Sequence, residues 1–183
     1  MKNQKLTLTR IIVATLLLGG MISVQAEEVT LKIMAPWKSE GQMFRISANE
    51  VLIQGHSEGM MYIDAGENSI DALNTAIFQC PGKTLVNMAN GKLETIGNCV
   101  ISRGDEENLI FAEFVCKGIT GKCDGKFSIT GGIGKFKGIT GSGKMIVRTV
   151  MTDVLGDVGT GAVLKGSTGL VVWPALKVNI PAK

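Results

Sequence analysis

Apolar and polar residues alternate in short runs along most of the chain, and Gly, Asn, Asp and Ser separate the runs. Val29, Leu31 and Ile33 alternate with polar neighbours, the two-residue period of a strand with one buried face. A longer run over 50–63 closes at Asp64-Ala65-Gly66 and reads as one long strand or as two joined at Gly55. Further strands are predicted over 73–80, 92–102, 108–117, 126–130, 144–153 and 161–173. Between two of them, Arg103-Gly104-Asp105-Glu106-Glu107 is too charged to bury and reads as an exposed hairpin tip. Turn signals at Thr120-Gly121, Thr130-Gly131 and Thr140-Gly141 recur at the spacing of short successive strands, which suits an antiparallel meander. Past the first 26 residues no stretch has a convincing helical period, and a short helix fits only within 68–78.

About eight consecutive strands must hide their edges. A closed antiparallel β-barrel does so most completely, with a two-sheet β-sandwich as the alternative. The interior of a small barrel is either filled by side chains or just wide enough for one small ligand.

The N-terminus breaks the strand pattern. Lys2, Lys5 and Arg10 precede an apolar run over 11–24 and the small-residue step Val24-Gln25-Ala26, the layout of a signal peptide cleaved after Ala26. The run is shorter than the roughly 20 residues that span a bilayer, and Glu27 and Glu28 follow it, so no integral membrane anchor is expected. Residues 27–183 then form a single domain, periplasmic or secreted. The three basic leader residues account for the formal charge of +3, leaving 16 Lys and Arg against 16 Asp and Glu. A neutral chain gives no electrostatic reason to expect nucleic acid as a partner.

The 24 glycines show no Gly-x-y period, and 22 of them lie in the mature part, about twice the usual frequency. With only four prolines, that surplus points to tight turns between strands. Cys80, Cys99, Cys116 and Cys123 are also all in the mature part, and an even number in an exported chain reads as disulfides. Four cysteines allow three pairings. Cys80 and Cys99 bracket the hairpin signal Asn90-Gly91, and Cys116 and Cys123 flank a turn-rich segment, which favours Cys80 with Cys99 and Cys116 with Cys123. A zinc site is a poor rival, because the chain has one His and no close CxxC pair. No metal or cofactor is expected.

Residues 124–143 carry Gly131-Gly132-Ile133-Gly134-Lys135-Phe136, with Phe127 before it and Gly138, Gly141 and Gly143 after it. This segment resembles the Gly-Gly-x-Gly-x-Phe hairpin of the allene oxide cyclase and dirigent β-barrels, and is similar to that of small exported bacterial proteins which have cysteines before it. The resemblance covers about 20 residues and implies the barrel, with the glycines allowing turns and Phe127 and Phe136 supplying core. For an enzyme it implies a cofactor-independent isomerase or cyclase that holds a flexible substrate in one folded conformation. It also implies a possible homo-oligomer, and it carries over no catalytic residue.

Candidate chemistry is sparse. The segment 138–145 nearly spells a phosphate-binding loop, but Met145 has no hydroxyl for Mg²⁺ and a strand follows instead of a helix. Glu113 interrupts an apolar run and shares a strand face with Leu109, Phe111 and Val115, opposite Ile110, Ala112, Phe114 and Cys116. Facing inward, it would be a carboxylate in an apolar cavity and the first candidate for catalysis, with Asn74 and Asn98 as weaker polar groups and Phe111 on the same face as a candidate to bind an apolar ligand. Facing outward, the more frequent case, it is an ordinary solvated side chain. Met60 and Tyr62 are candidates to line a barrel mouth for an apolar ligand, although they, Met61, Trp37 and Trp173 also suit a core. His56, Ser57 and Glu58 are adjacent on a strand and point to opposite faces, so they form no triad. The expected function is binding of a small apolar molecule, with a non-catalytic envelope interaction or scaffold protein as the alternative.

Overall fold

Residues 27–63 and 73–181 are described by the computed structural model. The expected leader, the Asp64-Ala65-Gly66 turn and residues 68–72 of the helix window lie outside the described residues. Nine strands follow one another: β1 (Glu27–Arg45), β2 (Glu50–Met60), β3 (Tyr62–Ile63), β4 (Ile77–Asn87), β5 (Lys92–Ser102), β6 (Ile110–Ile119), β7 (Lys122–Gly132), β8 (Thr140–Leu155) and β9 (Ala162–Ile180). A single 3-10 turn, Gly134–Phe136, interrupts the series among the described residues. From β4 to β9 each strand pairs with the next, and β1 pairs with both β2 and β9, which closes the sheet into an antiparallel barrel. The two residues of β3 continue β2 along β1 beyond a break at Met61, so the barrel has eight staves. The run over 50–63 is therefore interrupted at Met61 and not at Gly55, and residues 73–78 enter β4 through a turn instead of forming a helix.

Side chains alternate between a buried inner face and an exposed outer one. At one end, Leu31, Ile33, Leu73, Ile110, Ile139, Leu176 and Val178 fill the interior, each below 2 % exposure. A bulge in β9 at Pro174-Ala175, where the pairing to β1 slips between Ile33↔Trp173 and Leu31↔Leu176, lets both Trp173 and Leu176 point inward. At the other end a smaller cluster forms from Val51, Ile53, Val86 and Leu164. Charged residues, among them Lys32, Lys38 and Glu40 on β1, occupy the outer face, and Lys38 reaches Glu58 on the next strand at 2.8 Å. That ion pair raises the pKa of Lys38 and lowers that of Glu58.

Both disulfides pair as the hairpins predict. Cys80 and Cys99 join β4 to β5 with their Cα atoms 4.1 Å apart. They sit in a gap of the β4–β5 pairing, between Gln79↔Val100 and Gly82↔Gly97, where Pro81 has no N–H to donate. Cys116 and Cys123 join β6 to β7 diagonally, because Cys116 stands opposite Gly125 and Cys123 opposite Gly118. Loops of these lengths correspond to about 3 and about 2.5 kcal/mol of stabilisation through the unfolded chain.

Three interior rings lie over glycines on the neighbouring strand: Trp37 over Gly169, Phe78 over Gly59 and Phe114 over Gly97. At each glycine a Cβ would come within 2.6 Å of a ring carbon, closer than any real contact. Trp173 meets Phe127 and Phe78 edge-on, at centroid distances of 5.1 and 6.4 Å, contacts of about 0.5–1.5 kcal/mol each. Gly97→Ala brings the new methyl within 2.6 Å of Phe114 and 2.8 Å of the Pro81 carbonyl. We expect it to destabilise the barrel by about 1–3 kcal/mol, the range for overpacking, measured as a lower urea midpoint with an unchanged slope.

Candidate functional site

Between the packed end and the small cluster the barrel is hollow. The cavity has a volume of about 170 Å³, and its walls are mostly apolar. The rings of Trp37, Phe78, Phe114, Phe127 and Trp173 line it together with Met61 and Met145, and both disulfides contribute. This space exists because three of those rings lie flat against glycines in the wall instead of projecting to the barrel axis.

Apart from Lys122, the polar side chains that face the cavity carry hydroxyls. Ser57 on β2 stands opposite Ser39 on β1, which stands opposite Ser167 on β9, so three serines form one row across three strands. Elsewhere on the wall Thr84 of β4 and Thr95 of β5 bond each other at 2.9 Å. Lys122 is the one charged side chain among the described residues of the lining, and it is exposed. The cavity reaches the surface at a seam. Pairing of β7 with β8 ends at Lys122↔Arg148, whereas β8 continues to Leu155. The Thr149 N–H donates to the Gly121 carbonyl at 2.9 Å, and the exposed side chains of Lys122 and Met151 flank the gap. The Trp173 Nε1 is sealed from solvent with no hydrogen-bond partner among the described residues, an arrangement that costs about 1–3 kcal/mol.

None of the residues singled out as catalytic or ligand-binding enters this cavity. Glu113 lies on the outer face of β6, between Asn98 and Ser128, as the ordinary solvated case requires. Both faces of this strand are apolar, so alternation alone did not fix which one is inside. Phe111 shares that outer face and is half-buried. Met60 and Tyr62 also point outward, at 51 % and 56 % exposure, because residues 59, 61 and 63 take the inner positions and Met61 is the buried member of the trio. Asn98 is exposed on β5, and Asn74 accepts the Ile63 N–H at 3.4 Å in the turn leading to β4. His56 is exposed on β2, 3.6 Å from a Glu40 carboxylate oxygen. Glu113 instead lines an open groove on the outer wall of about 730 Å³, with Lys83, Lys126 and the backbone of Gly55, Gly82 and Gly97. That groove is larger than the cavity but unenclosed and crossed by charges, so it offers a small molecule little desolvation.

The signal for the serines was present but unused: Ser39 keeps the parity of Leu31, Ile33, Ala35 and Trp37, and Ser57 that of Val51 and Ile53. Among the described residues no group of three or more His, Cys, Asp or Glu is placed to hold a metal ion. No helix among them is long and apolar enough to cross a membrane. Two disulfides suggest an oxidising, extracellular compartment. No family model, curated protein or solved structure matches the chain.

At the packed end, Asn108 ties two loops together. Its Oδ1 accepts the Lys135 N–H at 2.7 Å and its Nδ2 donates to Asp105 at 2.5 Å. That bond, with the Glu107 N–H, holds the Asp105 carboxyl below the usual carboxylate range. The resulting stability is present above the unfolded-state pKa of about 3.9 and disappears as pH falls through the lower folded value. Replacing Asn108 with Ala should move the Asp105 titration, followed by carboxyl NMR, back toward the ordinary range.

Proposed function

We propose that the mature chain is a binding protein for a small apolar molecule, periplasmic or secreted, acting without a cofactor. The observation that carries this function is the hollow, aromatic-walled half of the barrel with a seam to the surface. Its volume is close to that of a cavity of about 150 Å³ known to take up benzene, so a ligand the size of one substituted ring suits it. The 124–143 segment supports kinship with the allene oxide cyclase and dirigent barrels. Any isomerase or cyclase activity would then depend on holding a substrate in one conformation, since the lining offers no carboxylate or imidazole among the described residues. Outward charges interspersed along β1 and its neighbours suit a barrel facing water, the reverse of the apolar band that faces lipid.

The alternative, an envelope interaction or scaffold protein, is favoured by the outer wall. Met60 stands opposite Ile77, Tyr62 opposite Met34, and Pro36 opposite Leu170, which places exposed apolar side chains on four adjoining staves. Such a patch suits a homo-oligomer or a protein partner.

Saturation-transfer NMR with α-methylstyrene tests the binding function. We expect transfer with the mature protein, loss of it when Ser57→Leu fills the cavity, and no change in Glu113→Gln. A folded protein that gives no transfer, and that light scattering shows to be oligomeric until Met60→Lys disperses it, overturns binding in favour of the interaction role.

A further inference from the structure

We infer that the cavity takes an uncharged molecule with an apolar body and one oxygen-bearing end, the oxygen lying against the row Ser57, Ser39 and Ser167. This inference rests on the binding function and specifies its ligand. The three serines face one another across β2, β1 and β9 on the cavity side of the sheet. Side chains opposite each other on one sheet face have Cβ atoms about 4.5–5.5 Å apart, so a single carbonyl or hydroxyl oxygen reaches two hydroxyls at once.

Ser167 is only 2 % exposed, the one buried polar residue among the described core. Its hydroxyl, like those of Ser39 and Ser57, has no hydrogen-bond partner among the described residues, and all three line the cavity instead of being sealed in the wall. The contrast is with Thr84 and Thr95, which satisfy each other at 2.9 Å. An apolar ligand without an oxygen would cover these hydroxyls and leave them unpaired, at a cost of about 1–3 kcal/mol, whereas a ligand oxygen restores a bond. Three hydroxyls at positions where alternation favours apolar side chains thus point to a polar group supplied from outside the chain.

The charge of that group follows from the walls. A carboxylate held against the serines would be desolvated with no cation beside it, because Lys122 lies at the exposed seam. A ketone, ester, lactone or alcohol oxygen avoids this and matches hydroxyls that both donate and accept.

Acetophenone and α-methylstyrene have nearly the same shape and differ in a carbonyl against a methylene, so they isolate the oxygen. By titration calorimetry or NMR we expect the mature protein to bind the ketone about three- to tenfold more tightly, as one net hydrogen bond gives. The triple variant S39A/S57A/S167A should lose that preference and keep its affinity for the hydrocarbon within about twofold, and benzoate should not compete. Equal affinity for the two probes, or a preference that survives in the triple variant, overturns the serine assignment and assigns the row to ordered water, leaving the binding function intact. Failure of both probes to bind the folded protein overturns both.

Discussion

The structure depends on how large rings are accommodated inside a small barrel. A ring that projects toward the axis fills an eight-stranded interior, and one that lies along the wall needs a neighbour without a side chain. Trp37, Phe78 and Phe114 take the second course, each over a glycine of the adjoining strand. The glycines are thereby fixed by side-chain packing across the sheet, beyond their usual role in turns. Ring and glycine lie on different strands, so each pair also fixes the register between two strands: a slip of one residue would drive a Cβ into a ring.

From this wall-hugging arrangement the two halves of the interior follow. Branched aliphatic side chains fill the packed end, while the aromatic end keeps a space beside its rings. The hydroxyls lie in that space, and the offset between β7 and β8 opens it to the side. Apart from Lys122 at the seam, the ionisable groups of these strands are gathered on the outer wall.

Much of the architecture was legible in the alternation and in the turn signals at Asn90-Gly91, 103–107 and Thr120-Gly121, whereas Thr130-Gly131 lies inside β7 and Thr140-Gly141 begins β8. The strands over 92–102, 108–117, 144–153 and 161–173 fall within or overlap β5, β6, β8 and β9, and hairpin geometry paired the cysteines correctly. Three features were not legible. The second half of β4 begins at Pro81-Gly82, which reads as a loop because the missing N–H shows only once the disulfide is seen to span the gap. Most of β1 carries Gly41 and alternating charges, and its strand character comes from pairing with β2 and β9 at once. The site itself depended on knowing which face of each strand is inside. In β6 both faces are apolar, so alternation places Glu113 and Phe111 inside as readily as outside, while small serines at inward positions of β1, β2 and β9 carry no apolar signal.

The placement of the sulfurs constrains the order of maturation. Each bridge lies within one hairpin, β4–β5 or β6–β7, and turns toward the interior, whereas closure requires the first strand to meet the last. Both bridges therefore need only their own hairpin to form, and neither depends on the C-terminal strand having docked. Once the ring has shut, both crosslinks lie on the inner face of the enclosure they helped to form.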